Sequence, residues 1–187
     1  RIANIYAENN SKLINKYMVS TFSFVFLFSL PICFGIVGIA NDFVPWFFGN
    51  GYKPVVMLLY LMSPLPLVIC ISNIMGSQYL TPSGQRARSS KGIIVGAITN
   101  FILNLILIHK FGANGATIAS LAAECVISVV YVHMSKEFIN WHQIWNALYK
   151  KLIAGFVMFL GVLFLGKGYQ GNIIISMVQV VLGAVIY

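Results

Sequence analysis

The sequence predicts an all-α fold, a polytopic bundle of about six membrane-spanning helices. Three observations predict it. Of the 187 residues, 59% are apolar and 9% charged, against roughly 25% charged in an average soluble domain. The apolar residues gather in runs much longer than the roughly 9–11 residues of a barrel strand, and hydrocarbon admits only helices or closed barrels because it offers backbone groups no partner. The basic residues, finally, sort to alternate sides of those runs.

Residues 1–17 read as a basic cytoplasmic lead-in, and the first span as 18–39, interrupted by Pro31, Gly35 and Gly38. The second span, 55–80, carries Pro64 and Pro66. Kinks of this kind either are filled by neighbouring helices or mark the wall of a cavity. The third and fourth spans are read as 92–108 and 113–134, completing a four-span core over 18–134. Between 135 and 151, Phe138, Trp141, Trp145 and Leu148 recur at spacings of three and four, with Asn140, Gln143 and Asn146 between them. That pattern predicts a separate amphipathic helix lying along the cytoplasmic headgroups. Two final spans are read as 152–166 and 173–187. Because the chain opens on Arg1 rather than Met and closes inside an apolar run, it reads as part of a longer protein.

Positive loops are retained in the cytoplasm, so the basic residues orient the map. Arg1, Lys12, Lys16, Arg86, Arg88, Lys91, Lys136, Lys150 and Lys151 fall on one side; Lys53, Lys110 and Lys167 fall on the other. The N-terminus is therefore expected inside, and the 40–54 loop outside, where Phe43, Trp46, Phe47 and Phe48 supply an aromatic belt. The net charge of +8 is then mainly a topology signal and not a nucleic-acid footprint, since no basic patch with interleaved aromatics stands outside the membrane map.

Glu124 is the one acidic residue read at membrane depth, near the middle of the fourth span. A charged carboxylate there costs about 2.5–3.5 kcal/mol, so it is expected to face protein or water, or to be paired or neutral. Thr117, Ser120, Glu124, Ser128 and Tyr131 share one helical stripe with it. Gly92, Gly96, Asn100 and Asn104 form a similar stripe in the third span, and Ser63, Cys70, Asn73 and Ser77 in the second. Such stripes serve helix packing or line a cavity with an ion-coupling role, and both readings stand at this point.

Catalysis has little to work with. The chain has four acidic residues, no Gly-rich phosphate loop, no His-Glu-x-x-His and no Gly-x-Ser-x-Gly. Cys33, Cys70 and Cys125 lie far apart inside apolar runs, as small buried hydrophobes do, and suggest neither a metal nor a redox site. Transport is favoured, with no catalytic residue, no metal and no cofactor assigned.

A resemblance emerges from residues 45–135. Phe48-Gly49-Asn50-Gly51-Tyr52, then Gln78-Tyr79-Leu80-Thr81-Pro82-Ser83-Gly84-Gln85, then Asn100-Phe101-Ile102-Leu103-Asn104 and Lys110-Phe111-Gly112-Ala113-Asn114-Gly115-Ala116-Thr117 resemble the polysaccharide-transport family of Wzx-type flippases. That family shares a superfamily with multidrug extruders and lipid II flippases. The resemblance implies most of the second half of a larger transporter, one lobe of two around a cavity that opens alternately to either face. It implies a multi-pass protein of the bacterial plasma membrane that carries undecaprenyl-pyrophosphate-linked oligosaccharide outward for O-antigen, capsule or exopolysaccharide export. It also implies drive by an ion gradient, H+ or Na+, and work beside other polysaccharide-assembly membrane proteins. Family members are thought to use a cationic lumen, whereas here no Lys or Arg is read at membrane depth. Arg86, Arg88 and Lys91 are expected at the cytoplasmic headgroups, recruiting anionic lipid. The alternatives are a cation-coupled multidrug extruder, with Glu124 as its coupling acid, and a membrane-embedded glycan polymerase or ligase.

Overall fold

In a computed structural model the chain is helical, and residues 11–135, 139–166 and 173–187 are described. The helices are α1 (Ser11–Phe47), α2 (Pro54–Met62), α3 (Leu65–Asn73), α4 (Arg86–Phe111), α5 (Ala113–Met134), α6 (Trp141–Gly166) and α7 (Ile173–Ile186), with a 3-10 turn at Asn50–Tyr52 and a π-helical stretch at Ile74–Leu80. Five stretches are long and apolar enough to cross a membrane: Lys12–Phe47, Pro54–Leu80, Arg86–Phe111, Ala113–Met134 and Trp141–Gly166. The last helix, Ile173–Ile186, is shorter. This is a multi-pass membrane protein, and outward faces such as Ile93, Ile98, Phe101 and Leu105 of α4 are more than half exposed, as lipid-facing residues must be.

Helix boundaries depart from the sequence expectation in two places. α1 does not stop at residue 39; its 37 residues span about 55 Å at 1.5 Å per residue. It passes through Pro31 and Pro45 without a break. Asn41 and Asp42 look like a loop by polarity, but Asp42 is buried at 4% exposure, and the chain first takes a left-handed conformation at Gly49, whose φ is +93°. The second departure is α6. The segment expected as a separate interfacial helix over 135–151 is, from Trp141 onward, the opening turns of one continuous span. Lys150 and Lys151 suggested a boundary by charge, but no Gly or Pro separates Trp145 from Leu152, so nothing in the backbone breaks the helix there. Phe138 lies outside the described residues. Asn140 caps α6, its Oδ1 accepting the Gln143 N–H at 3.3 Å.

Neighbours pack in the order α4, α5, α2 with α3, α1, α6 and α7. α4 and α5 form a tight hairpin through Gly112, whose φ of +55° reverses the chain in a single residue. Gly115 serves the contact between the two helices. A Cβ there would lie 2.1 Å from the Leu107 carbonyl oxygen, so the two backbones touch. The main core gathers Met18, Phe22, Phe26, Ile74, Tyr79, Tyr131 and Ile144 at one end. The start of α1, the end of the π-helical stretch, the end of α5 and the start of α6 therefore share that end. Among described residues it also holds Lys12, Lys16, Arg86, Arg88, Lys91 and Lys150, while Lys53 and Lys110 adjoin the turns at the opposite end.

Candidate functional site

α5 is sandwiched between α4 on one side and α2 with α3 on the other, so its polar stripe meets protein. Ser128 Oγ donates to the Val68 carbonyl at 3.1 Å. Glu124, half-buried, accepts the Ser72 hydroxyl on Oε2 at 3.1 Å. Tyr131 donates to the Ser89 carbonyl at 2.8 Å. Thr117 turns back on its own helix, donating to the Ala113 carbonyl at 3.0 Å, and Ser120 is half-buried beside them.

On α4, Asn104 Nδ2 donates to Asn100 Oδ1 at 2.6 Å. A Cβ on Gly92 would strike Tyr131, and one on Gly96 would strike Ile127. Extending that antiparallel register by one and two turns sets Asn100 opposite Ala123 and Asn104 opposite Ala119, both buried. One amide hydrogen bond thus joins the pair against small residues. Asn73 stands apart from these contacts: it is exposed, as are Ser77 and Gln78 on the next turn. Arg86, Arg88 and Lys91 are exposed too, with Arg88 Nη1 donating to Gln85 Oε1 at 2.7 Å.

A second polar site, which sequence reasoning passed over, lies at the opposite end among α1, α6 and α7. Gln179, 0% exposed, donates from Nε2 to Asp42 Oδ2 at 2.7 Å and to the Val162 carbonyl at 3.1 Å. Its Oε1 is buried with no partner. A Cβ on Gly166 would lie 2.4 Å from Asp42 Oδ2, so only glycine leaves room for the pair. Trp46 Nε1 donates to Ser176 Oγ at 3.0 Å nearby. A cavity of about 310 Å³ between α1, α6 and α7 reaches Gln179 along a wall that includes Pro31, Gly35 and Gly183. Two signals pointed here. Ser176, Gln179 and Gly183 recur at helical spacing and are the buried residues of α7, and Asp42 with Asn41 interrupts an otherwise apolar stretch between Gly38 and Phe48.

Lys151 also departs from expectation. Its ammonium donates to Ser23 Oγ of α1 at 2.8 Å and to the Ala147 carbonyl at 3.2 Å. The continuous α6 thus sets this half-buried cation against α1, next to Lys150 at the basic end. Among the described residues, no three His, Cys, Asp or Glu side chains come together.

No protein-family model matches the chain. It is 33% identical over 101 residues to the putative O-antigen transporter of Escherichia coli strain K12, a match covering 54% of this chain and 23% of that protein. It is 24% identical over 167 residues to a probable low-salt glycan biosynthesis flippase of Haloferax volcanii, covering 83% of this chain and 35% of the relative. Its fold matches the lipid II flippase MurJ in an inward closed conformation, with a TM-score of 0.73 at 16% identity over 100% of this chain and 41% of that one. The resemblance to polysaccharide-transport flippases is borne out by these relatives, both named as transporters or flippases and not as enzymes. The chain spans well under half the length of each.

Proposed function

We propose that this chain is one lobe of an alternating-access transporter that moves a lipid-linked oligosaccharide, carried on undecaprenyl pyrophosphate, from the inner to the outer leaflet of a bacterial plasma membrane. The observation that carries this reading is sequence similarity across 83% of the chain to a protein named a glycan biosynthesis flippase, together with the O-antigen transporter match. The grouping of described basic residues at one end supports a cytoplasmic N-terminus. Deletion of the intact gene should leave lipid-linked glycan accumulating on the inner leaflet; an unchanged distribution between leaflets counts decisively against the reading.

Drive by a proton or sodium gradient would use Asp42 before Glu124. Glu124 is half-buried and accepts from Ser72, whereas Asp42, which holds one donor in Gln179 Nε2, is far more enclosed at 4% exposure, and Gln179 Oε1 is left without a partner in the same corner. Asp42→Asn should abolish gradient dependence of glycan translocation. The competing drug-extrusion reading rests on Glu124, and drug sensitivity of the deletion strain, with loss of efflux in Glu124→Gln, would favour it.

A further inference from the structure

The second span changes helical register as it approaches the basic end of the bundle. Ile74–Leu80 is π-helical, and Thr81 N closes it on the Gly76 carbonyl at 3.1 Å, a spacing of five residues, so the stretch holds one residue more than an α-helix would. Such stretches pack poorly by themselves and persist where neighbours hold them. Here the holder is the Tyr131 ring, 2% exposed. A Cβ on Gly76 would lie 3.0 Å from the ring on one side, and a Cβ on Gly92 2.2 Å from it on the other. The phenol hydroxyl is pinned on the Ser89 carbonyl at 2.8 Å, and Thr81 Oγ1 reinforces the Gly76 carbonyl at 2.8 Å.

We propose that this stretch is a register switch, latched by Tyr131, that rotates the outer part of the second span during transport; the inference rests on the alternating-access reading above. Relaxing Ile74–Leu80 to an α-helix with its basic end fixed turns the residues before it back by one position, about 100°. Asn73 then takes the place of Ser72, and Ile74 takes the exposed place of Asn73. The adjacent polar pair suits this movement. Ser72 donates to Glu124 now, and the Asn73 amide takes over in the relaxed register, so the carboxylate keeps a donor throughout. Asn73, Ser77 and Gln78, exposed on one side of the stretch, mark the face that turns.

The test uses the intact gene with Cys33, Cys70 and Cys125 replaced by Ala and single cysteines at Asn73→Cys or Ile74→Cys, labelled in cells by a small membrane-impermeant maleimide. In the latched register position 73 labels and position 74 does not. Adding Gly92→Ala, which expels the Tyr131 ring, should reverse this, with labelling at 73 falling and at 74 rising severalfold; Tyr131→Phe should shift it part of the way. Should Gly92→Ala fail to accumulate, Tyr131→Phe and the otherwise unaltered cysteine variants, compared with and without the ion gradient, carry the same readout. Labelling at 73 alone in every variant and condition, or at neither position, overturns the switch. Glycan distribution is measured in parallel, so a single register with normal translocation sinks the switch alone, whereas register exchange without translocation sinks the flippase reading alone.

Discussion

Gly166, Asp42 and Gln179 illustrate how little room a buried polar pair leaves in a lipid-embedded bundle. The Asp42 carboxylate keeps the Gln179 amide only because Gly166 presents no Cβ; a methyl there would sit 2.4 Å from Asp42 Oδ2 and 2.7 Å from Gln179 Nε2. Gly166→Ala should separate the pair and leave buried polar atoms without partners, a loss of about 1–3 kcal/mol. The check is a lowered unfolding temperature of the detergent-solubilised protein. An unchanged midpoint would show that the pair contributes nothing to the fold. Glu124, by contrast, is the residue that periodicity singled out, and what it meets in α3 is the hydroxyl of Ser72, a neighbour of the Asn73 that was expected to share its cavity.

Between helices, association in lipid depends on close packing, since lipid tails are as apolar as leucine. The α4/α5 hairpin depends on it most. At Gly115 the obstacle is the Leu107 backbone oxygen at 2.1 Å, which cannot step aside, while at Gly161 it is the flexible tip of Ile186 at 2.9 Å. Gly115→Ala should therefore cost about 1–3 kcal/mol as an overpacked contact. Gly161→Ala should be tolerated much better. Thermal unfolding of the two variants side by side measures the difference; equal losses would mean that α4 can slide away from α5. The start of α6 is secured differently, by Asn15, which accepts the Asn140 N–H at 3.0 Å and donates to Gln143 Oε1 at 2.7 Å.

For the whole molecule, the disposition of charge is the governing feature. Arg86, Arg88 and Lys91 are exposed at the end that also holds Lys12 and Lys16, where each is worth about 1 kcal/mol towards anionic lipid. Replacing all three by Gln should weaken membrane orientation and transport; no change in either would reject a role for them. Thiols placed at Gln85 and at Tyr52 should label from opposite faces of the membrane. Labelling of both from one face would overturn the topology on which the functional reading stands.

The amino-acid sequence by itself determined the class of fold, the existence of the spans and the segregation of basic residues, because hydropathy over some twenty residues and the count of charges between runs are local properties. It also carried the resemblance that the relatives support. Partnership was decided by the tertiary structure. Asp42 looked like a loop residue until α7 supplied Gln179 against it, Lys151 had no partner in view until α6 ran on unbroken to set it beside Ser23, and the Asn100–Asn104 pair, open between packing and a cavity wall, was set by the hairpin register opposite the alanines of α5. A polar side chain in hydrocarbon is placed by whichever neighbour can satisfy it, and that neighbour is distant in sequence, so periodicity marks the stripe but not what it faces.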